Sequence, residues 1–277
     1  MRWKQFLTPV KSFDRDQARN FIDSHAPDDH LILDVRQPKE YENGHIPGAR
    51  LIPMAELPDR IPSLPTDKPI LVYCAIGGRS RIAAQMLSGK GLKEVINLTG
   101  GFKAWEGLSA FGPREKGLDY FTGLQSAPET LIIAYSLESG LLDFYDTMAA
   151  KVKNQAASDL FKKMSGIEIT HQARILKEYN RVSATETSRE EFEKNILPGI
   201  IEGGMTTEEY AGLFQTDLED LTQIIELAIS IEAQALDLYL RAADFSQDKD
   251  SKEILSQIAK EEQTHIRLLG DLLAKED

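Results

Sequence analysis

The one cysteine of this 277-residue chain lies in Tyr73-Cys74-Ala75-Ile76-Gly77-Gly78-Arg79-Ser80. A thiol reacts as its thiolate, which needs positive potential nearby. Gly77 and Gly78 let the backbone curl so that successive N–H groups point inward as an anion-binding nest. The segment after them is expected to be helical, so its N-terminus adds partial positive charge and Arg79 adds a full one. Together these would lower the thiol pKa and hold an anion on the sulfur. The alternative is a small hydrophobe at a strand end followed by a glycine turn, and the loop alone leaves both readings open.

A second set of reactive residue types stands far downstream. Glu168-Ile169-Thr170-His171 and Glu262-Gln263-Thr264-His265 each place a carboxylate and an imidazole one helical turn apart on one face. The two motifs are 94 residues apart, and the same offset relates Ser136-Leu137-Glu138 to Ser230-Ile231-Glu232 and Tyr145 to Tyr239. The chain therefore repeats a helix hairpin. Each leading glutamate precedes the glutamate of its motif by 30 residues, with midpoints at residues 153 and 247, both in turn-like sequence. In an antiparallel hairpin, residues equidistant from the turn stand at one height. Glu138 is thus expected to face Glu168 and His171, and Glu232 to face Glu262 and His265. Four carboxylates and two imidazoles at one level suit two metal ions, iron or manganese. The alternative is a solvated acidic face with two chance histidines. Tyr145 and Tyr239 share the ligand face and read as core fillers, with contact to the ligands as the other option. Asp143 and Asp237 point away from that face and are expected to be solvated.

The elements that must hold these residues differ between the two halves. Up to about residue 107, short apolar runs alternate with helix-like stretches such as Asp14 to Ser24 and Arg81 to Gly89. Leu31-Ile32-Leu33 runs into Asp34, Ile70-Leu71-Val72-Tyr73 runs into Cys74, and Glu94 to Leu98 follows. Such runs predict an α/β domain with a parallel sheet covered on both faces, over 1–107. Ligands of such sheets bind beyond the carboxyl ends of the strands, where Asp34 and Cys74 sit. Residues 108–126 lose the periodicity and read as a linker. Ser126-Ala127-Pro128-Glu129 has the spacing of a helix-starting capping box. From there, helical periodicity runs almost to the end of 127–277, with breaks near 151–156, 184–216 and 245–250. Two hairpins joined by one long crossover predict an all-α ferritin-like four-helix bundle.

Longer motifs add two family resemblances. Asp34-Val35-Arg36-Gln37-Pro38-Lys39-Glu40-Tyr41-Glu42-Asn43-Gly44-His45-Ile46-Pro47-Gly48-Ala49 resembles the signature of rhodanese domains, and Gly100-Gly101-Phe102 with Trp105 resembles their closing motif. The resemblance covers about residues 10–107. It implies a sulfurtransferase in which Cys74 carries a persulfide, with Ala75, Ile76, Gly77, Gly78 and Arg79 as its cradle and Arg79 assisting catalysis. Arg36 and Glu40 are expected to pair structurally, and His45 to fix a turn. Related phosphatases place five residues between cysteine and arginine. This chain has four, with Tyr73 before the cysteine, which favours sulfur transfer. Residues 127–275 resemble the ferritin-like domain of rubrerythrins, which implies a diiron centre and oxidoreductase chemistry. The chain departs from that pattern in two ways. Ala235 stands where rubrerythrins have a further glutamate, and their four-cysteine rubredoxin module is absent.

Charge and composition bound the partners. Residues 1–109 carry a net charge of +2 and the remainder −14, an imbalance that argues against nucleic acid and anionic lipid. One cysteine fits a reducing compartment. The start lacks a signal-peptide pattern and no run of about 18 apolar residues occurs, so a soluble cytoplasmic protein without a membrane partner is expected. The expected function is sulfane-sulfur transfer from a small sulfur donor to a thiol acceptor, fused to a dinuclear metal centre in redox or sulfur metabolism. Two alternatives stay open. In one, a peroxide- or oxygen-reactive redox or metal-handling bundle is served by a rhodanese domain that senses or delivers sulfur. In the other, the bundle is only a scaffold for homodimerisation.

Overall fold

Three four-residue strands, β2 (Leu31–Asp34), β4 (Ile70–Tyr73) and β5 (Val95–Leu98), are buried at every position. With β1 (Lys11–Phe13) and β3 (Arg50–Leu51) they form one parallel sheet of order β1-β5-β4-β2-β3. The computed structural model describes residues 9–197 and 220–276. Alternation along the strands divides the apolar side chains between two covered faces. Leu31, Leu33, Ile70, Val72 and Cys74 share one core with Leu57 of α3 (Leu57–Arg60) and with Ala83, Ala84 and Leu87 of α4 (Gly78–Gly89). Ile32, Leu71, Tyr73, Ile96 and Leu98 share the other with Ala18 and Phe21 of α1 (Arg15–Ser24) and with Tyr41 of α2 (Pro38–Glu42).

Helix α1 begins where expected, because Asp14 and Gln17 form a reciprocal capping box. Helix α4 begins at Gly78, three residues before the expected start at Arg81. Its N-cap is Gly77, in the left-handed region at φ 88°. That conformation, open to glycine at little cost, lets the chain turn straight from the cysteine loop into the helix. Arg79 and Ser80 are therefore first-turn residues.

In the remainder of the chain, α5 (Ala127–Lys151) packs on α6 (Gln155–Ser183), and α8 (Leu221–Phe245) packs on α9 (Lys249–Glu276). The turns between partners are residues 152–154 and 246–248, and the expected midpoints fall inside them. Ser126 and Glu129 form the capping box that starts α5, Asn154 caps α6, and Asp220 caps α8. Leu141, Phe144, Met148, Leu160, Phe161, Ile224, Ile225, Ala228 and Leu269 form a core common to the helices. The expected crossover over 184–216 includes the short α7 (Arg189–Phe192), and its part over 198–216 lies outside the described residues. Among the described residues no helix is long and apolar enough to cross a membrane.

The chain divides into two compact units between Arg114 and Glu115. Residues 108–126, expected as linker, are shared out between them. Ala110 is buried and exchanges both backbone hydrogen bonds with His45, each 2.9 Å, and Gly112 N donates to Glu42 O. In the second unit, Gln247 N donates to Gly123 O, and Ser251 Oγ to Gln125 O.

One expectation about the helical unit is corrected. Asp143 is exposed as anticipated, but Asp237 is 2% exposed, with Oδ2 2.7 Å from Arg241 Nε. Arg241 also donates to Lys116 O. Thr147 occupies the equivalent position in the first hairpin, so that hairpin cannot bury its aspartate in the same way. Removing one partner of a buried ion pair strands the other. Asp237→Ala should therefore destabilise the helical unit by about 3 kcal/mol, whereas Asp143→Ala should stay within about 0.5 kcal/mol. Denaturant unfolding followed by helix signal checks both, and equal losses would reject the asymmetry.

Candidate functional site: a cysteine loop and a buried carboxylate–imidazole cluster

Cys74 follows directly on β4 and has no exposed surface, while Ile76, two residues on, is 70% exposed. Gly77 N donates to Cys74 Sγ over 3.2 Å. Burial alone would raise the thiol pKa. The Ser80 hydroxyl and N–H, with the N–H groups of Ile76 and Gly77, outweigh it and lower the pKa below the usual thiol value. Ser80 Oγ is itself held 2.7 Å from Asn97 Oδ1. The sequence reading ended the cradle at Arg79 and missed Ser80. The signal lay in the early helix start, which turns the N–H of residue 80 toward the sulfur.

A second loop clamps the first. Phe102 N donates to Cys74 O (2.7 Å) and Lys103 N to Ala75 O (3.0 Å). A Cβ on Gly101 would lie 2.2 Å from Cys74 O, so only glycine permits this approach. The Gly100-Gly101-Phe102 segment therefore fixes the carbonyl side of the cysteine loop while the amides stay turned toward sulfur.

Arg79 is not free to act alone. Its Nη2 and Nη1 lie 2.7 and 2.9 Å from the two Glu40 carboxylate oxygens, a bidentate pair about one-third exposed. The expected Arg36–Glu40 pairing is thereby corrected. Arg36 is buried on Asp34, with Nε 2.8 Å from Oδ2, donates to Gly44 O, and lies over the Phe102 ring. Asp34, two residues before Arg36 in the chain, takes its guanidinium and leaves Glu40 to the arginine of the cysteine loop. His45 holds a turn as expected, with Nδ1 2.9 Å from Tyr41 O and its ring stacked on Tyr41.

In the helical unit, the six expected residues come together from four helices. Glu138, Glu168, His171, Glu232, Glu262 and His265 are each at most 7% exposed. His171 Nδ1 lies 3.1 Å from Glu138 Oε2 and 3.4 Å from Glu168 Oε2. His265 Nδ1 lies 3.3 Å from Glu262 Oε2 and 3.6 Å from Glu232 Oε2. The two imidazoles stack with ring centres 4.6 Å apart, which joins the hairpins. Donor atoms of Glu138, Glu168 and His171 lie within 4.8 Å of one another, as do those of His171, Glu262 and His265. The tyrosines are more than filler: Tyr145 OH donates to Glu232 Oε1 (2.6 Å) and Tyr239 OH to Glu138 Oε1 (3.4 Å). Each thus reaches from one hairpin to the glutamate of the other, a contact that a reading confined to one hairpin misses.

Burial lowers the His171 pKa on its own, but Glu138, with Glu261 and Glu232, overrides it and raises the pKa. Burial raises that of Glu232, and the bonds to His265, Glu262 and Tyr145 override it in the other direction. Glu232 Oε2 is buried with its basic neighbour, His265 Nδ1, at 3.6 Å, beyond hydrogen-bond distance, a position that costs stability unless charge compensates it. Oxygen-rich donors with one imidazole for each hairpin fit a pair of iron or manganese ions.

The cysteine loop generates a pH prediction. Ser80→Ala removes a group that lowers the thiol pKa, so alkylation of Cys74 should shift to higher pH. Glu40→Gln frees the Arg79 charge and should shift the same profile to lower pH. As the chain has one cysteine, iodoacetamide rates against pH report it directly. Shifts of the opposite sign would reject the assigned roles.

Comparison with known proteins supports both halves. Residues 14–108 match the family model of the rhodanese-like domain, and residues 129–273, more than half the chain, match that of rubrerythrin. An uncharacterized protein of Bacillus subtilis (strain 168), YqhL, is 50% identical over 76 residues, 27% of this chain and 60% of that protein. The thiosulfate sulfurtransferase GlpE of Stutzerimonas stutzeri (strain A1501) is 36% identical over 99 residues, 36% of this chain and 87% of that protein. A sulfurtransferase of Allochromatium vinosum is 39% identical over 88 residues, 31% of this chain and 82% of that protein. The chain thus belongs to the rhodanese family through its sheet unit and to the rubrerythrin family through its helical unit.

Proposed function

We propose that the chain is a sulfane-sulfur transferase that forms a persulfide on Cys74, joined to a dinuclear iron or manganese centre held by Glu138, Glu168, His171, Glu232, Glu262 and His265. The observation that carries the first part is the lone thiol under converging N–H groups at the start of α4. Thiosulfate, the substrate in the name of the GlpE relative, is the first donor to test. The Cys74 thiolate attacks the outer sulfur, the S–S bond breaks, and sulfite leaves with the electron pair. The amides that lowered the thiol pKa then face a persulfide anion. An acceptor thiolate attacks the outer sulfur and Cys74 leaves as thiolate. Because Cys74 has no exposed surface, loading requires the loop around Ile76 to yield. A thiol that must stay reduced to work suits the cytoplasm.

The helical unit supports the second part through its own residues. Tyr145 and Tyr239 hold the outer oxygens of Glu232 and Glu138, leaving the inner ones turned toward the imidazoles. A bound iron pair supplies redox chemistry toward oxygen or peroxide. We assign that chemistry to the same redox or sulfur metabolism as the Cys74 persulfide.

Incubation with thiosulfate should add one cyanide-removable sulfur atom per chain, and Cys74→Ser should abolish it. A serine variant that still transfers sulfur would reject the assignment. Protein purified without chelator should hold about two metal ions per chain, and Glu168→Ala should lower both occupancy and melting temperature. Wild-type protein that neither contains nor takes up iron or manganese would leave the bundle as a scaffold. Coupling is read from the iron spectrum and its response to peroxide, with and without sulfur on Cys74. Identical behaviour would separate the two activities.

A further inference from the structure

The repeat that builds the centre is broken on one side only, just outside the six ligands. His171 turns Nδ1 into the cluster, toward Glu138 and Glu168. Its Nε2 faces outward and lies 3.9 Å from Glu261 Oε2. Glu261 Oε2 is in turn 2.6 Å from Arg174 Nη2, one turn beyond His171 on α6, and both of these atoms are buried. The 94-residue offset places Ile167 opposite Glu261 and Leu268 opposite Arg174. Ile167 packs against the apolar core and Leu268 is half exposed. The second imidazole, His265, therefore receives no carboxylate–guanidinium pair from the matching positions.

Resting on the metal-centre reading above, we propose that Glu261, aimed by Arg174, is a positioning residue for His171 and makes the two metal positions inequivalent, the His171 position being the tighter. An imidazole that gives its Nδ1 lone pair to a metal must carry its proton on Nε2. A carboxylate facing that N–H fixes the tautomer and ring orientation and makes the ligand a stronger donor. Arg174 holds Glu261 turned toward the ring, instead of leaving it to compete as a further ligand. At the other end, Ile167 and Leu268 offer only hydrocarbon, so His265 is oriented by Glu262, Glu232 and the stacked ring of His171.

The test is titration of chelator-treated full-length protein with Mn(II) under anaerobic conditions, followed by loss of the free-ion electron paramagnetic resonance signal. Wild type should bind in two separated steps, the first giving an isolated Mn(II) signal and the second a coupled pair. Glu261→Gln should weaken the tighter step by about tenfold or more, the usual effect of losing such a partner, and leave the weaker step in place. Glu261→Asp should restore part of the loss, and Ile167→Ala should move neither step. Equal steps in the wild type would overturn the inference while keeping the centre, as would a Glu261→Gln variant that weakens both steps alike or only lowers melting temperature. A wild type that takes up no Mn(II) would remove the centre and the inference with it.

Discussion

Four carboxylates and two imidazoles buried at one level of a helix bundle are the constraint to which the second unit is built. Like charges this close destabilise a fold unless something compensates them. The chain supplies part of the compensation itself. His171 and His265 sit against the glutamates, and Tyr145 and Tyr239 each cross to the opposite hairpin to donate. The remainder of the negative charge faces inward, where the proposed metal pair would lie. Helix lengths, the two short turns and the apolar core around Leu141, Phe161 and Ile225 all serve to keep those six side chains at one height.

The sheet unit solves a smaller electrostatic problem with backbone N–H groups and the hydroxyl of Ser80. One thiol, buried and therefore disfavoured as an anion, is offset by N–H groups from the first turn of α4 and the loop before it. This works only because two glycine segments interlock. Gly77 adopts a left-handed conformation to start the helix early, and Gly101 comes close enough for its neighbours to bond the outward carbonyls of the cysteine loop. Glu40 then moderates the positive charge of Arg79. The lowering of the Cys74 pKa comes mainly from dipoles, while Arg79 is shared with Glu40.

How much of this could be read from the sequence depends on the range of each interaction. Glu-x-x-His is a one-turn spacing, and its recurrence after 94 residues, with turns at both midpoints, makes the hairpin geometry computable from residue numbers. Strands ending in Asp34 and Cys74 were legible for the same reason. Contacts across distance were not. The Glu40–Arg79 pair spans 39 residues, and the tyrosine–glutamate bonds span 87 and 101. Asp237 has a local clue in Arg241, four residues on, but the repeat pairs it with the exposed Asp143, and this is a place where the two hairpins differ. The Glu261–Arg174 pair is another such departure. Symmetry made the centre visible and made its asymmetries easy to miss.

Anomalous diffraction from crystals of the metal-loaded full-length chain, recorded at the iron or manganese edge, tests the reading of the bundle most directly. Two peaks are expected in each chain, one among Glu138, Glu168 and His171 and the other among Glu232, Glu262 and His265. A single peak, or peaks away from these six side chains, would contradict it.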